Sequence, residues 1–234
     1  MPPSEALDLG CGRGEWLEVL REINVEARGV DLDSAMVQEC DKRGLNVERG
    51  DVLSILKSAS DSSKSLLTAF HLVEHLEFEQ LQHLFREAIR VLRPGGLLIL
   101  ETPNPENLIV GTLSFYLDPT HRRPIPPQLL TFLAEHTGFP LSKIIRLNSP
   151  IKTDELGELT LLSVLMGVSP DYALIAQKGG GDDLSVIARA LWEAEYGLSL
   201  GALAEKYESQ LEEKYKKPIS HLMNSIMRRF RSQH

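Results

Sequence analysis

The sequence predicts an α/β fold: a seven-stranded, mostly parallel sheet flanked by helices, with a helical appendage at the C-terminal end. Three observations predict it. Short apolar runs alternate with amphipathic stretches through the first two-thirds of the chain, the pattern of parallel strands joined by helical crossovers. A glycine-rich turn follows the first of these runs. Gly179-Gly180-Gly181 then separates the strand-bearing part from a segment with helical periodicity only. These signals divide the chain into a sheet domain over 1–178 and a helical extension over 179–234.

In order, Glu5–Leu9 is a short apolar run that ends in glycines, and Glu15–Glu22 carries Trp16, Val19 and Leu20 at helical spacing. Ala27–Leu32 reads as the second strand. The helix Ser34–Lys42 follows, with Ser34 placed to cap it and Gly44 suited to end it. Asn46–Gly50 and Ser65–Phe70 supply strands three and four. Glu79–Leu92 is amphipathic, with Leu81, Leu84, Phe85, Ala88, Ile89 and Leu92 on one side, and Arg93-Pro94-Gly95-Gly96 reads as the turn that ends it. Leu97–Glu101 is the fifth strand. A proline-rich segment from Thr102 to Gln128 leads into a helix over Pro127–His136 and strands over Ser142–Leu147 and Tyr172–Gln177. Beyond the glycines, Asp183–Tyr196 and Leu200–Lys216 have helical patterns. Pro218 breaks the second, and a last segment covers Ile219–Phe230.

The 234 residues are 42% hydrophobic and 25% charged, which excludes wholesale disorder. A formal net charge of -8 excludes a broad nucleic-acid-binding surface, which needs an excess of Lys and Arg. Cys11 and Cys40 are too few for a disulfide framework or a four-thiolate zinc site, and fit a reduced, cytoplasmic setting. The first residues lack the basic and apolar regions of a signal peptide. The longest apolar runs, near Leu97–Leu100 and Leu159–Val168, fall short of the roughly 20 residues of a spanning helix. No set of His, Cys and carboxylate residues has metal-ligand spacing, so no metal is expected.

The turn Leu7-Asp8-Leu9-Gly10-Cys11-Gly12-Arg13-Gly14 closes a strand and opens a helix, where free N–H groups and the absence of side chains let a ligand approach the backbone. A dinucleotide fold would space its glycines G-x-G-x-x-G. Here the spacing is G-x-G-x-G and Glu15 stands at the last position, so a pyrophosphate is disfavoured and a cationic or zwitterionic ligand preferred. Asp31 closes the second strand, where a carboxylate can accept both hydroxyls of a ribose, and Asp51 closes the third, where it can accept from an adenine amino group. A strand-end aspartate alone is more often a helix cap. Three acidic or glycine-rich tips on one carboxyl edge of a parallel sheet make a stronger case together.

ALDLGCGRGEW, GVDLD, ERGD and RVLRPGGLLIL resemble the motif series of class I S-adenosylmethionine-dependent methyltransferases, over roughly residues 5–178. The resemblance implies a Rossmann-like sheet and S-adenosylmethionine as cofactor. It implies that Asp8, Gly10, Cys11 and Gly12 line the methionine part, Asp31 the ribose, and Asp51 with Val52 the adenine. Leu32 would pack on the adenine face and Phe70 would lie near the sulfonium. Family members carry a helix before the first strand, whereas four residues precede it here, so a chain shortened at its start is expected.

On the acceptor side, Phe70-His71-Leu72-Val73-Glu74-His75-Leu76 follows the fourth strand; Glu74 and His75 either reach the acceptor or cap the next helix. The loop Tyr116-Leu117-Asp118-Pro119-Thr120-His121-Arg122-Arg123 gathers an aromatic, a carboxylate, a histidine and two arginines. ETPNPENL, YLDPTHRRPIPPQLL and MGVSPDYALIAQK are similar to bacterial methyltransferases of cell-surface polysaccharide synthesis, above all the methyltransferase part of O-antigen chain-terminating enzymes. That likeness implies a glycan acceptor or its terminal phosphate. A sugar hydroxyl benefits from a general base, for which His121 is the first candidate and His75 the second, with Asp118 placed to orient His121. A phosphate needs cations instead: Arg122, Arg123 and Arg13. The plainer alternative pairs Asp118 with the arginines at the surface. Other readings are a small-molecule O-methyltransferase like those of ubiquinone synthesis, and a cofactor-binding scaffold without activity. The terminal segment sets Leu222, Met223, Ile226, Met227 and Phe230 against Arg228, Arg229 and Arg231, a pattern suited to an anionic inner-membrane surface or a partner, the plainer reading being a terminal packing helix. The helical extension as a whole is expected to pack on the domain or on a second copy.

Overall fold

The computed structural model describes residues 5–150, 157–180, 190 and 192–231, with the backbone alone for 217–231. Seven strands are formed: β1 (Glu5–Leu9), β2 (Ala27–Asp31), β3 (Val47–Arg49), β4 (Lys64–Phe70), β5 (Leu92–Pro103), β6 (Leu141–Leu147) and β7 (Asp171–Gln177). They lie side by side in the order β3-β2-β1-β4-β5-β7-β6. The first five pair in parallel, and β7 runs antiparallel to both β5 and β6. Strand order reverses between β1 and β4, so the loops leaving their carboxyl ends diverge and open a crevice.

Helices cover both faces: α1 (Glu15–Glu22), α2 (Ser34–Lys42), α3 (Val52–Ser58), α4 (Phe78–Val91), α5 (Leu108–Thr112), α6 (Pro127–Thr137) and α7 (Leu161–Met166), followed by α8 (Leu200–Arg231). α4 buries Leu81, Leu84, Phe85, Ala88 and Val91 within the core that includes Leu67, Leu98 and Leu100 of the sheet; the first four are on the predicted face, Ile89 is half-buried, and Leu92 already belongs to β5. A second, smaller cluster joins Leu159, Val164 and Val168 to Leu198 and Leu203, so the first turn of α8 packs onto the segment before β7. Among the described residues no helix is long and apolar enough to cross a membrane.

Several local expectations change. Asp33, not Ser34, caps α2: its side chain accepts from the Ala35 N–H at 2.7 Å. Arg93-Pro94-Gly95-Gly96 is not a turn that precedes the strand. β5 already begins at Leu92 and passes through it as an irregularity, the pairing jumping from Lys64–Leu92 to Leu66–Leu97 with Gly95 at φ 76°. α3 was not expected, because its seven residues between Gly50 and a serine-rich stretch are too short to show a period. Pro218 does not interrupt α8, which runs through it; the turn before it carries helix-forming Glu212, Glu213, Lys214 and Lys216 and a Glu212–Lys216 ion pair. The helix expected over Asp183–Tyr196 falls largely outside the described residues, and so do the side chains of the basic terminal segment.

Candidate active site

A cleft of about 510 Å³ opens where β1 and β4 diverge, lined by Asp8, Gly10, Cys11, Gly12, Glu15, Trp16, Val19, Phe70 and Glu101. Gly10, Gly12 and Gly14 all have positive φ, which turns the chain from β1 into α1 and presents backbone to the cleft. Asp31 anchors this turn from β2: its carboxylate accepts from the Gly12 N–H at 2.8 Å and from the Asp33 N–H at 2.8 Å. Trp16 packs edge-on against Phe70, ring centroids 5.2 Å apart. Its Nε1 is buried and finds no hydrogen-bond partner among the described residues, although it belongs to a residue lining the cleft.

Three carboxylates line the cleft, and among the described residues no Lys or Arg does. Asp8 is almost wholly buried, and its Oδ1 accepts from Thr68 at 2.6 Å. Burial pushes its pKa up to about 7; the Thr68 hydrogen bond opposes this and the charge of Asp31 adds to it. Cys11 is raised as well, by burial first and then by neighbouring Cys40, Asp8 and Asp31, so its thiol stays protonated at neutral pH. The remaining cofactor candidates sit differently. Leu32 is exposed at the end of β2, and Val52 is buried in the main core. Asp51 caps α3, accepting from the Ser54 N–H at 2.9 Å and the Ser54 hydroxyl at 2.8 Å.

Beside the cleft lies a second group of polar residues. His71, at φ 51° just past β4, places Nε2 3.7 Å from Glu101 and Nδ1 3.3 Å from Glu74. Hydrogen bonding to Glu101 and then Glu74 raises it to about 10, so it carries a proton at neutral pH. Glu74 is fully buried; Oε2 accepts from Thr102 at 2.9 Å and Oε1 faces the protonated His71 ring as its ion-pair partner. The loop after β5 returns to this point, the Arg122 N–H donating to the Glu74 carbonyl at 2.8 Å. His75 and His121 meet edge to face, ring centroids 4.8 Å apart. One donor atom each of Glu74, His75 and His121 lies within 4.8 Å of the others, a grouping that linear spacing does not reveal.

Asn104 and Asn107 hold that loop. Their amide groups donate to the carbonyls of Ser169 and Val168 at 2.8 and 2.7 Å, and Asn107 also caps α5. Neither Glu74 nor His75 caps the following helix; Glu77 does, in a reciprocal pair with Gln80. Asp118 does not hydrogen-bond His121, whose Nε2 is 3.8 Å away; it accepts from Thr120 instead. The arginines do not pair with Asp118 either. Arg122 contacts Glu77 at 3.3 Å, Arg123 lies 4.8 Å above the Phe78 ring, and Arg13 pairs with Glu15 at 3.0 Å. Tyr116 is exposed and rests edge-on against Phe115.

Sequence reasoning overlooked Trp16, His71, Glu101 and Thr120 as site residues. Trp16 had been absorbed into a helical stripe, although a tryptophan two residues past the glycine turn is placed to face that turn's ligand. The other three acquire their roles only from contacts across the sheet edge.

A family model described as a methyltransferase domain matches residues 2–143. A probable S-adenosylmethionine-dependent methyltransferase of Mycolicibacterium smegmatis is 31% identical over 137 residues, 58% of this chain and 51% of that protein. One of Mycobacterium tuberculosis is 30% identical over 135 residues, 58% of this chain and 48% of that protein. The chain thus spans about half the length of these curated relatives. Among solved structures, a methyltransferase of the same cofactor dependence from Archaeoglobus fulgidus superposes with a TM-score of 0.69 at 31% identity, covering 76% of this chain and 87% of that one. Phosphoethanolamine N-methyltransferase 2 of Haemonchus contortus, solved with S-adenosylmethionine, shares the fold at a TM-score of 0.59 and 15% identity, covering 76% and 49%. With the glycine turn, the strand order and a family match over more than half its length, the chain belongs to the class I S-adenosylmethionine-dependent methyltransferases.

Proposed function

We propose that the protein methylates a hydroxyl oxygen of a bacterial cell-surface glycan, with S-adenosylmethionine as the donor. When bound, the cofactor supplies an electrophilic methyl group on a positively charged sulfur. The cleft suits it. Asp8, Glu15 and Glu101 favour a ligand bearing ammonium and sulfonium charges and disfavour a pyrophosphate. The unpartnered Trp16 Nε1 is a donor for a carboxylate, such as that of the methionine part. Each Asp31 oxygen that takes a backbone N–H keeps a second lone pair for a ribose hydroxyl.

The observation that carries the choice of acceptor is the character of the second group. His75 and His121 stand with Glu74 and Asp118 around them, while Arg122 and Arg123 are turned to α4. Such surroundings accept protons, and the positive charge of His71 is already taken up by Glu74 and Glu101. They suit a neutral hydroxyl and oppose a phosphate monoester. The glycan class rests on the likeness of the proline-rich loop to polysaccharide methyltransferases, and the methylated acceptor is a proposal for the whole protein.

Incubation with cofactor carrying a deuterated methyl group, against neutral and phosphorylated oligosaccharides and small phenols, tests the reading by mass spectrometry. Label on a sugar hydroxyl is the expected result. Label on phosphate or only on a phenol overturns the acceptor, and cofactor binding without any transfer favours a scaffold.

Asp8 makes a second prediction. A cationic ligand binds the ionised carboxylate better, so binding below about pH 7 must release a proton from Asp8. Affinity for S-adenosylmethionine is therefore expected to fall as pH drops through 7, by up to roughly tenfold per unit. Calorimetry in buffers of different ionisation enthalpy reads the released proton, and Asp8→Asn should flatten the profile. A wild-type affinity independent of pH across this range would remove Asp8 from the recognition of the cofactor's charge.

A further inference from the structure

The hydrogen-bond partners of His75 and His121 fix which ring nitrogen of each carries the proton. Thr120 donates its hydroxyl to Asp118 Oδ1 at 2.6 Å, and the Thr120 N–H reaches the same oxygen at 2.8 Å. These bonds, hydroxyl first, hold the Asp118 carboxyl below its ordinary range, so it is an anion at neutral pH. The single hydroxyl hydrogen of Thr120 is thereby committed. Turning it toward His75 would set two oxygens with lone pairs against each other at 2.6 Å. The contact of 3.0 Å between Thr120 Oγ1 and His75 Nδ1 must then be filled by a hydrogen on Nδ1, which leaves Nε2 of neutral His75 with a free lone pair. His121 reaches the same tautomer by another route: its Nδ1 lies 2.7 Å from the Phe115 carbonyl, which can only accept.

The two imidazoles differ in what stands behind them. Behind His121 Nδ1 is a neutral carbonyl, its ring lies against Phe115, centroids 4.5 Å apart, and its Nε2 looks toward Asp118 Oδ2 at 3.8 Å, not toward an open acceptor position. Behind His75 is a hydroxyl that leads to a carboxylate. We propose that Asp118 and Thr120 form a relay that holds His75 in the Nδ1–H tautomer and stabilises its imidazolium, making His75 the general base and Thr120 its positioning residue. This rests on the hydroxyl-acceptor reading above and reverses the order of the two candidates drawn from sequence. As the acceptor oxygen gains the methyl group, its O–H bond breaks and the proton passes to Nε2 of His75. The Nδ1–H bond to Thr120 shortens against the growing positive charge, and the Thr120 hydroxyl keeps its own proton, hydrogen-bonded to Asp118. No proton moves to the carboxylate.

The tautomer can be read without any acceptor. In uniformly nitrogen-15-labelled full-length protein at a pH where the ring is neutral, long-range proton–nitrogen spectra, assigned with His75→Gln, should show His75 protonated on Nδ1. Thr120→Val should move it to the Nε2–H form favoured by an isolated imidazole, and Thr120→Ser should restore it. Thr120 is exposed, so neither change threatens the core. Nε2 protonation in the wild type, or an unchanged spectrum in Thr120→Val, overturns the relay. With the acceptor found by the labelled-methyl experiment, Thr120→Val should lower kcat by roughly 10–100-fold with KM preserved, and Thr120→Ser should recover most of it; full kcat in Thr120→Val overturns the role of His75 as base. If the spectra behave as expected while no acceptor is methylated, the relay stands and the proposed reaction falls.

Discussion

Gly14→Ala is expected to lower the free energy of unfolding by roughly 2–5 kcal/mol, combining a left-handed backbone with an overfilled site. Gly14 sits at φ 85°, and a methyl group there would fall 2.4 Å from Leu45 Cδ1 and 3.1 Å from Cys40 Sγ. Neither neighbour can withdraw: both are buried in the small cluster that Cys11 and Leu17 complete beneath the glycine turn. Gly12→Ala is the control. It shares the positive φ, at 53°, but its methyl would meet nothing within 4 Å. It should cost only about 1–2 kcal/mol and weaken cofactor binding more than folding. Urea unfolding of the two variants checks the contrast. A Gly14→Ala protein as stable as the wild type would mean that the turn is not packed as described.

Asp31→Ala is expected to weaken S-adenosylmethionine binding by roughly 1–3 kcal/mol, the cost of leaving ribose hydroxyls without a charged acceptor. The structure adds a second expectation. The same carboxylate holds the N–H groups of Gly12 and Asp33, so the variant should also lose stability in the absence of ligand. Measuring binding by calorimetry and unfolding by urea on the same preparation separates the two roles. Lower stability with unchanged affinity would reduce Asp31 to an anchor of the turn. Lower affinity beyond what the stability loss explains supports contact with the ribose.

Much of the fold was legible because its signals are local. α1 and α2 have the bounds their periodicity predicts, and a last strand over Tyr172–Gln177 was expected, although its antiparallel direction was not. The misreadings share a physical origin. Arg93-Pro94-Gly95-Gly96 and Pro218 carry strong breaker residues, yet β5 passes through one and α8 runs through the other. Of the residues predicted for the cofactor, Asp8, Gly10, Cys11, Gly12 and Phe70 line the cleft, whereas Asp31 reaches it only through the Gly12 N–H and Leu32, Asp51 and Val52 are not among its lining residues. The acceptor side was only half legible. His75, His121 and Asp118 were singled out by residue type, but their connections were not, since Thr120 bridges to a histidine 45 positions away and nothing in a proline-rich loop marks one threonine from another. His71 was invisible for the same reason: its two carboxylate partners come from the 3₁₀ turn after β4 and from β5.

The carboxylates of the cleft also bear on how a turnover would end. Asp8, Glu15 and Glu101 would surround a ligand whose sulfur is positive before the proposed transfer and neutral afterwards. Losing that charge removes Coulombic attraction at the moment the methyl group leaves, and the effect is largest where water is excluded around Asp8. By that contribution alone, the wall would hold the spent product less tightly than the donor.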